Sequence, residues 1–327
     1  MTTQTPSKEG TIPFTPPLLD KQCSTYYKVY GTLSSTSTPL IILHGGPGAG
    51  HDYLLTFAEL WPRHTIPVVF YDQTGCGEST HLPEEVSNHA FWQMSLWEAE
   101  LQNLLDHLGI KQYHLLGQSF GGMLAASFAT KQPHGLQRLI LASGIPSRAH
   151  SMASFAELKS LLAPEQQSAI DTAISTGDFT SEGYRAVFGY MVRHYLVRTA
   201  NPPPEMLASH AKMGADSTML LATSGPSPWL QNGSLLAWSC VDDLHRIRAP
   251  TLIYNAEFDT SSRDVAQKPF FENISKVRWV RFEDAGHMCH LETPELREKV
   301  LTLVGGFLTP PTFETDKRHN EYMRLRT

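Results

Sequence analysis

The chain has 327 residues, 41% of them hydrophobic and 18% charged, and its formal net charge is −6. This length and composition are typical of two globular domains, or of one large domain with an insertion. Because nucleic acids and anionic membranes both require a basic surface, neither is an expected partner. No stretch approaches the roughly 18 consecutive apolar residues that a membrane-spanning helix needs.

The cysteines are far apart and form no C-x-x-C pair. The sequence contains four of them: Cys23, Cys76, Cys240 and Cys289. We expect free thiols in a reducing compartment, and the polar N-terminus shows no signal peptide, so we predict a cytoplasmic protein. A zinc site would need clustered ligands, and the only tight cluster, HMCH at 287–290, has another interpretation given below. We therefore predict no bound metal.

Apolar runs that indicate buried strands recur along the first half of the chain. About twenty Thr- and Pro-rich residues come first, and we expect them to form an irregular arm. The strand patterns then read TYYKVYGT, PLIILHGG, PVVFYDQ, YHLLGQ and LQRLILAS. Helical patterns lie before and after YHLLGQ, from Phe91 to Leu108 and in FGGMLAASFATKQ, which ends before Pro133. Continuous apolar strands that alternate with helices predict a mostly parallel α/β sheet covered on both faces.

The alternation stops after Ser143 and resumes near Trp238. Between them lie helical stretches with breaks such as NPPPE and SGPSPW, and a block of this size over a sheet is often a lid. APTLIYNAEFD and KVRWVRFEDAGH then indicate further strands, followed by a closing helix. The predicted domains are a core at 1–144 and 239–308, a helical cap at 145–238 inserted after the sixth strand, and a tail at 309–327.

Residues 117–121 read GQSFG, after a strand pattern and before a helical one. In a nucleophile elbow the strand turns sharply into a helix, so the residues two before and two after the nucleophile must be small. Ser119 would then point its hydroxyl out of the sheet, where the dipole of the following helix favours a negative charge. The pattern predicts a nucleophilic serine.

A nucleophilic serine needs a base, and the base needs an orienting acid. In this architecture their chain order is serine, acid, histidine. Glu257 and Asp259 both follow the penultimate strand, and we favour Asp259 because it lies further past the strand end. His287 follows a small-residue turn after the last strand, whereas His290 begins the next segment and is expected to be a packed or capping histidine.

The glycine-rich loop LHGGPGAG after an early strand predicts an oxyanion hole. Acyl transfer needs preorganised hydrogen-bond donors for the developing negative charge. One donor is expected from the backbone N–H of Phe120, and the other from Gly45 or Gly46 in this loop. No phosphate-binding G-x-x-x-x-G-K motif is present and no G-x-G-x-x-G follows the first strand, so no cofactor is predicted.

Taken together, these stretches resemble the α/β-hydrolase superfamily. Within it, the chain is similar to the proline iminopeptidases, the tricorn-interacting aminopeptidases and the amino-acid amidases. The matching stretches run in the family's order from about residue 25 to 308: HGGPGAG, YDQTGCGEST, GQSFGG, APTLIYNAEFD and FEDAGH. The resemblance implies an α/β-hydrolase fold, a catalytic triad of Ser119, Asp259 and His287, and an oxyanion hole that includes glycines of HGGPG.

One segment of the predicted cap departs from the family pattern. In the aminopeptidases, acidic cap residues hold the free α-amino group of the substrate, one of them in a G-P-[NS]-E-F segment. Here the segment reads GPSPW, and Pro228 stands at the glutamate position. The nearest cap acids that could replace it are Glu205 and Asp216, and Trp229 is a further candidate substrate contact.

The sequence therefore predicts a serine hydrolase that cleaves a small amide or an N-terminal peptide bond through an acyl-enzyme. Its expected partner is a small molecule or a short peptide. Ester or lactone hydrolysis and acyl transfer to an amine or alcohol would use the same triad and stay open as alternatives. A ligand receptor that kept the fold without turnover is a third alternative.

Overall fold

The computed structural model describes residues 4–309, which form one eight-stranded sheet with helices on both faces. The strands are β1 Lys8–Phe14, β2 Cys23–Tyr30, β3 Leu40–Leu43, β4 Val68–Tyr71, β5 Tyr113–Gln118, β6 Leu136–Ala142, β7 Thr251–Phe258 and β8 Val277–Gly286. Their order in the sheet is β1-β2-β4-β3-β5-β6-β7-β8. Strand β2 pairs antiparallel with β1 and β4, and all the other pairings are parallel. The predicted mostly parallel α/β sheet is confirmed.

Residues 4–309 also form ten α-helices. They are α1 Leu60–His64, α2 Met94–His107, α3 Phe120–Thr130, α4 Arg148–Ser160, α5 Pro164–Thr176, α6 Glu182–Met191, α7 Pro204–Ala215, α8 Thr218–Thr223, α9 Asp264–Asn273 and α10 Pro294–Leu308. A 3₁₀ segment, Asp52–Glu59, lies between β3 and α1. Helices α4 to α8 lie between β6 and β7, and we call them the helical insertion.

The N-terminal arm differs from the prediction. Instead of an irregular arm, residues 8–14 form strand β1, which pairs with β2 at one edge of the sheet. Ile12 and Phe14 on this strand are buried, which explains why the segment joins the sheet despite its Thr- and Pro-rich composition. Pro13 is tolerated because an edge strand leaves one side of its backbone without a hydrogen-bonded neighbour. The predicted tail at 309–327 lies outside the described residues except for Thr309.

The sheet is buried on both faces, as its continuous apolar strands require. On β3, Ile41 and Leu43 join the hydrophobic cluster on one face, while Leu40 and Ile42 join the cluster on the other face. The parallel strands β3, β5, β7 and β8 all end at the same edge, so the loops that follow them meet there. In open α/β sheets this edge is where ligands bind.

Two further sequence predictions concern the cysteines and membrane-spanning helices. All four cysteines are buried and free, as predicted. None of the helices formed by residues 4–309 is long and apolar enough to cross a membrane.

Candidate active site

Ser119 lies at the sharp turn between β5 and α3. Its backbone has φ 56° and ψ −117°, which is a strained conformation for a residue with a side chain. A Cβ atom on Gly117 would overlap the carbonyl oxygen of Gly121, and one on Gly121 would overlap that of Leu43. Both positions therefore have to be glycine, for the steric reason that the motif suggested.

The loops after β7 and β8 bring Asp259 and His287 together. The Nδ1 atom of His287 lies 2.7 Å from Oδ1 of Asp259, which is fully buried. Ser262 donates to the same oxygen from its hydroxyl at 2.7 Å and from its backbone N–H at 3.1 Å, and Ser143 donates to Oδ2 at 2.8 Å. Burial alone would raise the pKa of Asp259, but His287 and these hydroxyls lower it below its usual value. Asp259 is therefore a carboxylate that fixes the orientation of the imidazole.

The two alternative residues lie elsewhere. The carboxylate of Glu257 accepts a hydrogen bond from the backbone N–H of Asp284 at 2.9 Å and lies 3.9 Å from the guanidinium of Arg281. His290 donates from Nε2 to the carbonyl oxygen of Tyr53 at 3.0 Å, and burial lowers its pKa to about 4. His290 is thus a neutral packed histidine, as expected from its position in the sequence.

The expected oxyanion donors behave differently from one another. The N–H of Gly45 donates to the Tyr53 hydroxyl at 2.7 Å, and that hydroxyl donates to Oε1 of Gln118 at 2.6 Å. Gly45 is therefore engaged inside the protein, which corrects the expectation that its N–H is a donor for the substrate. Gly46 and Phe120 both line the cavity beside Ser119. Phe120 is the first residue of α3, where backbone N–H groups lack partners within the helix.

A cavity of about 240 Å³ lies between this edge of the sheet and the helical insertion. Ser119 and His287 both line it. Most of its remaining wall is apolar and comes from the insertion, including Phe155, Phe188, Met191, Met206, Met213 and Leu220. No Asp or Glu among residues 4–309 belongs to the lining, and Pro228 does. In the same described part of the chain, no group of three or more His, Cys, Asp or Glu residues is arranged to hold a metal ion.

Comparison with known proteins agrees with this architecture. Residues 38–294 match the family model of the α/β-hydrolase fold. The chain belongs to the α/β-hydrolase family. Two proline iminopeptidases are similar to it over most of its length: that of Levilactobacillus brevis is 36% identical over 85% of this chain and 91% of its own length, and that of Lactiplantibacillus plantarum is 34% identical over 82% and 92%.

Two solved structures are also similar to this α/β-hydrolase. VinJ superposes with a TM-score of 0.85 at 35% identity, covering 93% of this chain and all of the VinJ chain. A proline iminopeptidase of Mycobacterium smegmatis superposes with a TM-score of 0.81 at 32% identity, covering 92% of this chain and 97% of its own. The resemblance to the proline iminopeptidase group is confirmed, and the protein is a hydrolase.

The three candidate substrate contacts of this α/β-hydrolase do not line the cavity. Asp216 pairs with His81 instead. Trp229 donates from its indole N–H to the carbonyl oxygen of Phe155 at 3.2 Å, so it packs within the insertion. Glu205 lies in the first turn of α7, where the helix dipole favours a carboxylate. Glu205 and Asp216 were only candidates for the role of the missing glutamate, and neither lines the cavity.

Four residues of the site were not found from the sequence. Ser262 is three residues beyond Asp259, and an Asp side chain often accepts a hydrogen bond from a backbone N–H a few residues further along the chain. This spacing could have indicated that Ser262 lies beside Asp259. Nothing in the sequence marks Tyr53 or Ser143, because their roles depend on contacts between distant loops. Arg148, the first residue of α4, also lines the cavity, and no motif surrounds it.

Proposed function

We propose that this α/β-hydrolase cleaves a small amide or N-terminal peptide bond through an acyl-enzyme, with Ser119 as nucleophile, His287 as base and Asp259 as orienting acid. The observation that carries the proposal is the 2.7 Å hydrogen bond between Asp259 and His287, together with the cavity that His287 and the elbow serine both line. The similarity to proline iminopeptidases supports an amide or peptide substrate. The substrate is a small molecule or a short peptide.

In this mechanism the Ser119 hydroxyl attacks the substrate carbonyl and passes its proton to Nε2 of His287. The Nδ1–H of His287 stays bonded to Asp259, whose carboxylate stabilises the imidazolium. The negative charge on the tetrahedral oxygen is stabilised by the backbone N–H groups of Gly46 and Phe120. The imidazolium then gives its proton to the departing amine, and the same base activates the water that releases the acyl group.

We further propose that the helical insertion acts as the cap of the site, within the predicted boundaries 145–238. Its apolar side chains form most of the cavity wall, so a bound substrate is shielded from bulk water and the electrostatic interactions in the site are strengthened.

The four free, buried thiols support a reducing compartment and hence the cytoplasm.

The proposal is tested with the Ser119→Ala variant and a fluorophosphonate probe that forms a covalent bond with activated serines. We expect the wild type to be labelled and the variant not, and hydrolysis of amino-acid p-nitroanilides to fall by several orders of magnitude in the variant. Ser175→Ala, which changes an exposed serine on α5, is the matched control and should behave as the wild type. Equal labelling or equal turnover in Ser119→Ala would overturn the serine mechanism.

Ester or lactone hydrolysis, with or without acyl transfer, is a second candidate on the same residues. Pro228 favours it, because the cavity wall offers no carboxylate at this position to hold the free amine of a peptide substrate. The comparison of alanine and proline p-nitroanilides, with free and with blocked amines, against p-nitrophenyl acetate and butyrate distinguishes the two. Faster cleavage of the free-amine anilides supports the peptidase, and preference for the esters supports the second candidate.

A further inference from the structure

A buried arginine lies in the wall of the catalytic cavity. Arg148 is only 6% exposed, and it lines the same cavity as Ser119. Its Nη2 donates to the Ser224 hydroxyl at 2.6 Å, whereas its Nε is buried and makes no hydrogen bond. Within residues 4–309 no carboxylate forms an ion pair with it, and the lining of the cavity contains no Asp or Glu.

The surroundings of Arg148 are unfavourable for an isolated positive charge. Burial lowers the pKa of its guanidinium to about 10, so the group stays protonated at neutral pH. Arg148 is also the first residue of α4, where the partial positive charge of the helix dipole repels a cation. Buried cations are normally paired with an anion, because an unpaired one loses its hydration without compensation. An anion in the cavity would supply the missing partner.

The charge and shape of the site select a carboxylate. Arg148 is the only Lys or Arg among the described lining residues, and burial lowers the pKa of the lining His210, which is therefore neutral at pH 7. A single positive charge matches a monoanion better than a dianion. The guanidinium presents paired N–H donors in a planar fork that fits the two oxygens of a carboxylate.

One neighbouring hydroxyl can complete the binding site, because Ser151 lines the cavity one helical turn after Arg148 and can donate to an anion. Gln231 also lines the cavity, but its side-chain N–H groups face protein acceptors, one of them Ser151 Oγ at 3.5 Å. The side-chain N–H of Gln231 donates to the carbonyl oxygen of Pro228 at 3.1 Å, so the segment that lacks the expected glutamate lies beside this polar group. The cavity thus has a cation on its wall and no carboxylate at the position where the family pattern has one.

We propose that Arg148 binds a carboxylate of the substrate, so that the preferred substrates are amides or esters that carry a carboxylate in the part held by the cavity. The inference deepens the proposed function and rests on it for the reaction. That a carboxylate binds at all is inferred from Arg148 and the cavity alone. The substrate class is therefore acidic, either a peptide with a free C-terminus or an acyl group with its own carboxylate.

Matched substrate pairs test which side of the scissile bond carries the carboxylate. One pair is Ala-Gly and its C-terminal amide, and the other is glutaryl p-nitroanilide and valeryl p-nitroanilide. We expect a higher kcat/KM for the carboxylate member of at least one pair. In Arg148→Met the ratio of kcat/KM between the two members of that pair should fall about 100-fold, the effect of breaking a buried charge pair. Arg185→Met, which removes an exposed arginine on α6, is the control and should keep the wild-type ratio.

Binding without turnover separates this inference from the proposed function. Glutaramate, the monoamide of glutarate and a monoanion at neutral pH, should raise the melting temperature of Ser119→Ala but not that of Ser119→Ala combined with Arg148→Met, and glutaramide (the diamide) should raise neither. A labelled, active wild type without carboxylate preference overturns only the carboxylate site. Arg148-dependent glutaramate binding in a protein that the fluorophosphonate does not label overturns only the serine mechanism.

A folding control keeps the result interpretable. Arg148→Met removes an unpaired buried charge, so its melting temperature should equal or exceed that of the wild type. If that variant does not fold, Arg148→Gln replaces it, because the amide can still donate a hydrogen bond but carries no charge. A wild-type preference for the carboxylate in Arg148→Gln, together with unchanged glutaramate binding, would contradict the inference.

Discussion

The assignment of the orienting acid can be tested by replacing Asp259 with asparagine. Oδ1 of Asp259 accepts hydrogen bonds from His287 and from two groups of Ser262, while Oδ2 accepts one from the Ser143 hydroxyl. If the amide nitrogen of the asparagine faces Ser143, that hydroxyl can turn and accept, and the imidazole keeps its contact with an oxygen. If it faces His287, it donates to Nδ1 and favours the wrong tautomer.

Either orientation removes the negative charge that stabilises the imidazolium. Replacing the acid of a Ser-His-Asp triad by its amide has lowered kcat by about 10⁴ in a serine protease, which corresponds to about 5 kcal/mol in the activation free energy. We expect kcat of Asp259→Asn to fall by about 10³ to 10⁴ with a much smaller change in KM. The loss should appear in kcat rather than in KM, because Asp259 is fully buried and does not line the cavity, so it does not contact a bound substrate.

The assay compares steady-state rates on p-nitrophenyl acetate and on the best amide substrate, normalised to intact enzyme by circular dichroism. Glu257→Gln is the matched control, because the Glu257 side chain is 39% exposed and accepts a hydrogen bond from the backbone of Asp284. Surface substitutions usually change the free energy of unfolding by less than about 0.5 kcal/mol, so this variant should fold normally, and its kcat should stay within about twofold of the wild type. A large loss in Glu257→Gln together with near-normal activity in Asp259→Asn would refute the assignment.

Two further predictions concern the support of the site. Tyr53→Phe leaves Gly45 N–H and Gln118 Oε1 buried without their partner, so the free energy of unfolding in urea should fall by about 1–3 kcal/mol; an unchanged value would contradict this. Burial alone would lower the pKa of His81, but its hydrogen bonds and the charge of Asp216 raise it above the unfolded value near 6.5. The resulting stabilisation is complete below that pH and is lost as pH rises through the folded pKa. Asp216→Asn should therefore reduce the dependence of the melting temperature on pH across this range. An unchanged dependence would show that the His81–Asp216 pair contributes nothing.

The order of strands and helices was predictable because its signals are local. Short continuous apolar runs such as those of β3 and β5 indicate strands buried on both faces, and Ser119, Asp259 and His287 come directly after the ends of β5, β7 and β8. Strand β1 was missed because a Thr- and Pro-rich composition indicates a loop, while its membership in the sheet depends on pairing with β2.

The cavity wall was not predictable in the same way. Helical spacing shows which face of an inserted helix is apolar, but not which side chains reach the nucleophile. Charge alone marks Glu205 and Asp216 in the sequence, and neither lines the cavity, whereas no sequence signal marks Arg148, which does. Gly45 and Gly46 are adjacent and identical in type, and only the position of the Tyr53 hydroxyl distinguishes them.

The segment Asp52–Glu59 has a consequence for engineering this enzyme. Its Tyr53 holds the loop of Gly45 through the hydroxyl, receives His290 at its carbonyl oxygen, and donates its backbone N–H to the Ser209 hydroxyl on α7 at 3.2 Å. Tyr53 thus joins the loop of Gly45, the segment of His290 that follows β8, and helix α7, which lines the substrate cavity. Selection for new substrates through changes on α7 will therefore alter turnover as well as affinity, and libraries that spare the Ser209 contact should retain more active members.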